Sequence, residues 1–78
     1  MDHSYDQYFR MLGMNIAFYR KMNGMTQLQL AEMLDISRTH MSNIEAANVN
    51  TRISMELLFR MADVFGIDPR DLLDFSRF

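Results

Sequence analysis

The sequence predicts an all-α fold, a compact bundle of five short helices forming one domain over residues 1–78. Three observations predict it. Apolar residues recur at steps of three and four along most of the chain, which is the spacing of one helix face. Residues that favour helix ends stand between these apolar stretches. There is no strand-like alternation of any length, no internal repeat and no low-complexity segment.

The first helix is predicted from a capping box at residues 4–7, with Ser4 as the N-cap, to about Met22. One apolar stripe along it predicts a buried face: Tyr5, Phe9, Leu12, Ile16 and Tyr19. A second stripe lies beside the first: Tyr8, Met11, Phe18 and Met22. The second stripe indicates either contact with the C-terminal segment or another subunit, or a wide core face with some exposed aromatics. Gly24 can adopt the positive φ that ends such a helix.

Residues 26–46 predict two short helices that meet at a tight corner. Thr26 and Ser37 are the expected N-caps. Leu30, Ala31 and Leu34 share one face of the second helix, while Met41 and Ile44 share one face of the third. Asp35 turns the chain between them, because aspartate tolerates the left-handed conformation better than most residues. Ile36 is then expected to pack into the core.

The rest of the chain predicts a polar loop followed by two helices. Ser54 is expected to cap a fourth helix that runs to about Phe65 and ends at Gly66. Its core-facing residues are predicted to be Met55, Leu58, Ala62 and Phe65, beside a neighbouring row of Ile53, Leu57, Met61 and Val64. Asp68 and Pro69 start the fifth helix as N-cap and first helical residue.

The segment 68–78 ends in an apolar group on a polar background: Leu72, Leu73, Phe75 and Phe78. A small domain has little room to bury so many large side chains at one end. We expect these residues to form a homodimer contact. The alternative is that they fold back onto the first helix.

Composition limits the class of protein. The chain has no cysteine, so a disulfide framework and a thiolate metal site are both excluded. It has no apolar run long enough to span a membrane and no basic signal-peptide start, so we expect a soluble cytoplasmic protein. The formal net charge is −2, and the acidic excess lies entirely in residues 53–78. The first 52 residues are balanced, which leaves nucleic-acid binding possible with modest, salt-sensitive affinity.

Residues 12–73 resemble the helix-turn-helix domain of the Cro and phage-repressor class of bacterial regulators, also called the xenobiotic-response-element (XRE) class. The resemblance is carried by Gly13, Ile16, Tyr19-Arg20-Lys21, Gly24-Met25-Thr26-Gln27, Leu30-Ala31-Glu32, Ile36-Ser37-Arg38, Met41-Ser42-Asn43-Ile44-Glu45, Leu58, Met61-Ala62, Phe65-Gly66-Ile67 and Asp71-Leu72-Leu73. It implies a lambda-repressor-like fold and a homodimer that binds a palindromic DNA operator. Such a protein represses by blocking polymerase or activates by contacting it. Controllers of restriction-modification systems and antitoxins belong to the same class.

The third helix offers suitable side chains for the major groove once Met41 and Ile44 face the core. Those turned outward are Arg38, Thr39, Ser42 and Asn43, with His40 beside them. Arginine can donate two hydrogen bonds to guanine, asparagine can pair with adenine, and the threonine methyl suits thymine. For each of them the alternative is an exposed polar residue that touches only phosphate or water.

The resemblance and the chemistry together indicate phosphate contacts around these helices. Gln27 at the start of the second helix is the main candidate, followed by Ser37, Asn23, Lys21, Arg52 and Asn48. Relatives commonly carry Arg-Gly where this chain has Ala46-Ala47, so Asn48 is expected to end the third helix and Arg52 to replace a phosphate contact. The resemblance also implies a structural salt bridge between Arg20 and Glu45.

The sequence gives little support for an enzymatic function. Asp35, Ser37 and His40 have the composition of a catalytic triad, but at this spacing their side chains point apart. No metal site, cofactor site or small-molecule site is indicated. The competing function is a protein-interaction module that kept the scaffold and lost DNA binding, as the negative charge, Ala46-Ala47 and the surplus aromatics would allow.

Overall fold

The computed structural model describes residues 5–46 and 51–78. Within these ranges the protein is all-α, as predicted, with five helices and no strand. The helices are α1 (Asp6–Met22), α2 (Gln27–Leu34), α3 (Arg38–Glu45), α4 (Met55–Phe65) and α5 (Pro69–Leu72). None of the helices in this described part has both the length and the hydropathy needed to cross a membrane.

Four of the predicted N-caps are confirmed by side-chain hydrogen bonds. Thr26 and Gln29 form a complete capping box, in which each side chain accepts a hydrogen bond from the other's backbone N–H. Ser37, Ser54 and Asp68 accept from backbone N–H groups in the first turns of α3, α4 and α5. The prediction for α1 was wrong, because Tyr5 occupies the N-cap position without a side-chain bond. Ser4 lies outside the described residues.

The turns after three helices use residues with positive φ. Gly24 and Gly66 adopt φ values of 68° and 69°, and Asp35 adopts 56°. At Gly66 and Asp35 this left-handed residue directly follows the last helical residue. In all three places a left-handed residue follows the end of a helix and turns the chain, as the sequence predicted.

The core lies where all five helices meet, and α4 contributes more residues to it than any other helix. The buried face of α4 comprises Leu57, Leu58, Met61, Ala62 and Phe65. Met55, predicted to face the core, is 56% exposed. Met55 is the first residue of α4, and the buried residues of this helix, which packs against α1, α2 and α5, begin at Leu57. On α1 the predicted stripe is buried at Leu12 and Ile16, whereas Tyr5 at its start is 66% exposed.

A close helix crossing fixes α3 against α1. A Cβ atom at Gly13 would lie within 3.0 Å of the backbone carbonyl oxygen of Ile44, a separation that real Cβ atoms essentially never show. Only glycine permits this approach, since a backbone carbonyl has no alternative rotamer. Gly13 therefore sets the distance between the longest helix and the helix that carries the candidate base-reading residues.

The C-terminal tail, residues 73–78, folds back along α1. The aromatic ring of Phe75 stacks on that of Tyr8, with 5.9 Å between centroids. The guanidinium of Arg77 lies 4.0 Å from the centre of the Phe18 ring. Leu72, at the end of α5, is fully buried within its own chain, so its predicted place in a dimer contact was wrong. The contacts of Phe75 match the alternative in which the segment folds back, whereas Leu73 and Phe78 stay exposed.

Candidate nucleic-acid interface

The corner between α2 and α3 is held by local hydrogen bonds and by apolar anchors. Asp35 ends α2 in the left-handed conformation, and the backbone N–H of Ile36 donates to the carbonyl of Ala31 at 3.0 Å. Ile36 is half-buried against the core. On α3, Met41 and Ile44 are buried, as predicted. The opposite face of this two-turn helix is consequently turned to solvent.

The predicted base-contacting residues lie on that outer face. Arg38, Thr39 and Asn43 are exposed, while His40 and Ser42 are half-buried at its edges. Among the described residues, none forms a hydrogen bond with the side chains of Arg38, Thr39 or Asn43. These three side chains therefore keep their full hydrogen-bonding capacity for another molecule. Because α3 has eight residues and is about 12 Å long, it matches the width of one major groove.

The predicted ion pair between Arg20 and Glu45 is present beneath the outer face. Arg20 Nε donates to Glu45 Oε2 at 2.7 Å, and Nη2 donates to Oε1 at 2.9 Å. Nη1 donates to the carbonyl of Met25 at 2.7 Å. Both side chains are about nine-tenths buried. The hydrogen bonds to Glu45 raise the pKa of Arg20, and they outweigh the desolvation that would lower it. The pair thus links the end of α1, the start of α2 and the end of α3.

Gln27 belongs to the same network. Its amide Nε2 donates to Glu45 Oε1 at 3.0 Å. One amide hydrogen is therefore already in use, and a phosphate contact by Gln27 has to use the other amide hydrogen or the free backbone N–H at the α2 N-terminus. Ser37 is in a similar position, because its hydroxyl already accepts from the backbone N–H of His40. Sequence reasoning predicted the Ser37 cap but not the bond from Gln27 to Glu45.

The remaining phosphate candidates divide into two groups. Lys21 and Asn23 are exposed at the end of α1, and the Asn23 amide donates to the carbonyl of Tyr19 at 2.8 Å. Arg52, in contrast, forms an ion pair with the buried carboxylate of Asp6 at 2.8 Å, and its guanidinium lies 4.2 Å from the centre of the Phe9 ring. The prediction of Arg52 as a free phosphate contact is therefore corrected: its charge has an internal partner. Asn48 lies outside the described residues.

Sequence reasoning gave no structural role to three residues, and the first two position this site. Gly13 permits the α1–α3 crossing, Arg60 on α4 donates to the last α2 carbonyl, that of Leu34, at 2.7 Å, and Asn15 holds the tail. A signal existed for two of them. A glycine inside a helix is unfavourable by about 1 kcal/mol and so indicates a close approach. Asn15 lies at the spacing of the second apolar stripe, between Met11 and Phe18, where a polar residue indicates a buried hydrogen bond.

Comparisons with known proteins agree with this geometry. Residues 16–72 match the family model described as helix-turn-helix. Control protein C.BamHI of Bacillus amyloliquefaciens is 35% identical over 69% of this chain and 64% of its own length. The HTH-type transcriptional regulator SinR of Bacillus subtilis is 33% identical over 82% of this chain and 57% of its own length. The chain thus spans less than two thirds of each of these relatives.

A solved structure shares the fold. The restriction-modification controller protein C.AhdI from Aeromonas hydrophila superposes with a TM-score of 0.73, covering 82% of this chain and 94% of the other, at 22% sequence identity. The α2–α3 corner, the exposed outer face of α3 and the family match over residues 16–72 lead to one conclusion. The chain belongs to the helix-turn-helix family, in its XRE class.

Proposed function

We propose that this chain binds double-stranded DNA sequence-specifically through α3 and regulates transcription as a homodimer on a palindromic operator. The observation that carries the proposal is the outer face of α3, whose exposed side chains have no hydrogen-bond partner among the described residues. Arg38, Thr39 and Asn43 are exposed there, while Met41 and Ile44 fix the opposite face in the core. A side chain that is exposed on a rigid helix can enter a groove without reorganising the protein.

Base recognition follows from the chemistry of these side chains. Arg38 has a planar guanidinium that can donate two hydrogen bonds to O6 and N7 of guanine. Asn43 can donate to N7 and accept from N6 of adenine, and the methyl of Thr39 suits the methyl of thymine. Ser42 and His40, at the edges of the face, are assigned to flanking base or backbone contacts.

Backbone contacts position the helix in the groove. The N-terminus of α2 presents free N–H groups beside Gln27, and the positive end of the helix dipole favours a phosphate there. The N-terminus of α3, beside Ser37, presents free N–H groups to phosphate in the same way. Lys21 and Asn23 extend the phosphate contact along the end of α1. The ion pair between Arg20 and Glu45 neutralises a carboxylate that would otherwise repel DNA from this side.

A homodimer is needed because one reading helix covers only one half of a palindromic operator. One eight-residue helix reads a single half-site, and a two-fold dimer places two such helices about 34 Å apart in successive major grooves. Leu73, Phe75 and Phe78 in the tail supply apolar surface for this contact. Occupancy of the operator then represses transcription by blocking polymerase, or activates it by contact. The two curated relatives are named a control protein and a transcriptional regulator, which supports this class of function.

The test is selection of bound duplexes from a random pool, followed by fluorescence anisotropy with the selected site at two salt concentrations. We expect a palindromic site and a steep loss of affinity with salt, since phosphate contacts release counterions. Arg38→Ala should weaken binding by about 1–3 kcal/mol and relax the preference at one base pair. Arg70→Ala is the matched control, because it removes an equal charge that pairs with Asp68 on α5.

The outcomes separate the two candidate functions. Equal effects of Arg38→Ala and Arg70→Ala on the selected site would show that α3 does not read bases. A wild-type chain that binds no duplex at low salt would instead support a protein-interaction module on this scaffold.

A further inference from the structure

The carbonyl groups at the end of α2 find their hydrogen-bond partners in two different places. A helix leaves its last four carbonyls without partners inside the helix. The carbonyls of Ala31 and Glu32 accept from backbone N–H groups of the turn that follows, at 3.0 and 3.2 Å. The carbonyl of Leu34, the last residue of α2, has its partner on another helix, because Arg60 Nη2 on α4 donates to it at 2.7 Å. The end of α2 is thus tied to α4.

The environment of Leu34 and Arg60 favours this hydrogen bond. Leu34 is only 1% exposed, so its carbonyl is shielded from water. A charged donor strengthens a hydrogen bond, and a positive charge is favourable at the C-terminal end of a helix. Glu56 and Asp63 lie one turn away on α4, but Arg60 forms no ion pair with any of the described residues. Within that part of the chain, its guanidinium is therefore committed to α2.

The hydrogen bond lies where the chain turns from α2 into α3. Leu34 is followed by the left-handed Asp35, and Ser37, the N-cap of α3, stands three residues after Leu34. The helices that pack most closely against α3 are α1 and α2. The main neighbours of α4, in contrast, are α1, α2 and α5. Arg60 therefore connects α4, through the end of α2, with the corner from which α3 starts.

Holding this corner in place differs from satisfying its hydrogen bonds. Arg60 as a residue is exposed, so a shorter or apolar side chain at this position would let water reach the carbonyl of Leu34. Water would supply the missing hydrogen bond at little cost. It would not join α2 to α4. The main consequence of losing Arg60 is therefore greater freedom of the corner to move, with a smaller change in the free energy of unfolding.

Base recognition is more sensitive to such movement than phosphate contact is. A side chain that reads a base has to be held within about 0.5 Å of its productive position. Phosphate contacts carry no sequence information, and they are made to any duplex. A small shift of α3 relative to the rest of the domain would therefore weaken binding to the selected site more than binding to an arbitrary duplex.

We propose that Arg60 is a positioning residue for base recognition by α3. It ties the end of α2 to α4 and so fixes α3 relative to the rest of the domain, while Arg60 itself touches no base. This inference rests on the proposed sequence-specific DNA binding. It adds that a residue on α4, outside the α2–α3 pair, determines how well the protein distinguishes its operator from other DNA.

The experiment measures a specificity ratio for the full chain and its variants. This ratio is the dissociation constant for random duplex divided by that for the selected site, both from fluorescence anisotropy at one salt concentration. Arg60→Met keeps an unbranched stem and removes every donor, whereas Arg60→Lys keeps the charge and a donor. Arg70→Met is the matched control, because it removes an equal charge from α5 at a side chain that is 89% exposed.

Two further measurements separate positioning from stability. The backbone N–H of Ile36 donates to the carbonyl of Ala31, so its amide hydrogen exchange reports on opening of the corner. The melting temperature of each variant reports on the stability of the whole domain.

We expect Arg60→Met to lower the specificity ratio by about three- to tenfold, the scale of one hydrogen bond, and to speed exchange at Ile36. Arg60→Lys should keep most of the ratio, because its ammonium can donate to the same carbonyl. Arg70→Met should leave the ratio unchanged, since a lost charge alters the affinity for both duplexes alike. Arg60→Gln decides by the same ratio if Arg60→Met does not fold.

Other results would overturn the inference. An unchanged specificity ratio in Arg60→Met, whether or not the melting temperature falls, would leave Arg60 a structural residue or a general positive charge. A lower ratio with unchanged exchange at Ile36 would mean that Arg60 does not act through the corner. A wild-type chain that binds both duplexes equally would refute sequence-specific binding itself, and this inference with it. A wild-type chain that discriminates as well as Arg60→Met does would refute the inference alone.

Discussion

Replacing Gly13 by alanine tests the helix crossing that places α3. Position 13 lies inside α1, and an added Cβ would be blocked by the backbone carbonyl of Ile44. A side-chain end could rotate away, but this carbonyl is part of the last turn of α3. Gly13→Ala therefore forces α1 and α3 apart along the contact that buries Ile16, Met41 and Ile44.

Two effects of opposite sign decide how much Gly13→Ala changes the free energy of unfolding. Alanine favours the helix over glycine by about 1 kcal/mol. Overpacking usually costs about 1–3 kcal/mol, and we take the upper end because the obstacle is backbone and because moving the helices also weakens neighbouring contacts. The net expectation is a loss of about 2 kcal/mol. For a domain of this size that corresponds to a fall in Tm of roughly 8–16 °C.

Urea unfolding followed by circular dichroism measures this change. Met14→Ala is the matched control, because Met14 is the next residue of α1 and its side chain is exposed. We expect the control to stay within about 0.5 kcal/mol of the wild type, as most exposed substitutions do. If Gly13→Ala instead raised the free energy of unfolding by the amount that helix propensity supplies, the close crossing of α1 and α3 would be refuted.

Three further changes test other parts of the structure. Glu45→Ala should cost about 3–5 kcal/mol in urea unfolding, because Arg20 would keep a desolvated charge without its partner; a loss below about 1 kcal/mol would contradict that. Asp35→Val should cost about 1–2 kcal/mol by the same assay, since a β-branched residue is strained at a φ of 56°, and unchanged stability would argue against the left-handed turn. The N-cap hydrogen bond from the backbone N–H of Arg70 lowers the pKa of Asp68 below its ordinary value of 3.8. The stability that ionised Asp68 contributes is therefore complete above pH 3.8, and it is lost as the pH falls through the lowered pKa of the folded state. Asp68→Asn should remove this part of the loss of stability in acid. Urea titrations of both proteins at about pH 5 and below pH 3.8 would measure it. An identical loss of stability in both proteins would show that the Asp68 carboxylate does not stabilise the α5 N-terminus.

The outer face of α3 was predictable from the sequence to an unusual degree. The spacing of Met41 and Ile44 alone determined which residues of α3 turn outward, and Arg38, Thr39 and Asn43 are exposed as that spacing required. Helix periodicity carries this information because the orientation of a side chain around a short helix depends only on its position. The engagement of Gln27 with Glu45 could not be predicted in the same way, because those residues are eighteen positions apart.

The contact between α1 and the tail, in contrast, could not be predicted from the sequence. The sequence left open whether the apolar tail folds back or faces a partner, and the two-stripe pattern of α1 permitted both. The structure divides the tail: Leu72 is buried and Phe75 stacks on Tyr8, while Leu73 remains exposed. The deciding feature is the buried amide of Asn15, and nothing near it in the sequence indicates which carbonyls it binds.

The sequence alone determined the helices, their confirmed N-caps at Thr26, Ser37, Ser54 and Asp68, the left-handed turns and the outward face of α3. These features depend on interactions within about one helical turn, so residue type and spacing are sufficient to predict them. Only the tertiary structure decided the pairing of Arg52, the glycine crossing and the docking of the tail. Those depend on distances between segments far apart in the chain, which no local pattern encodes.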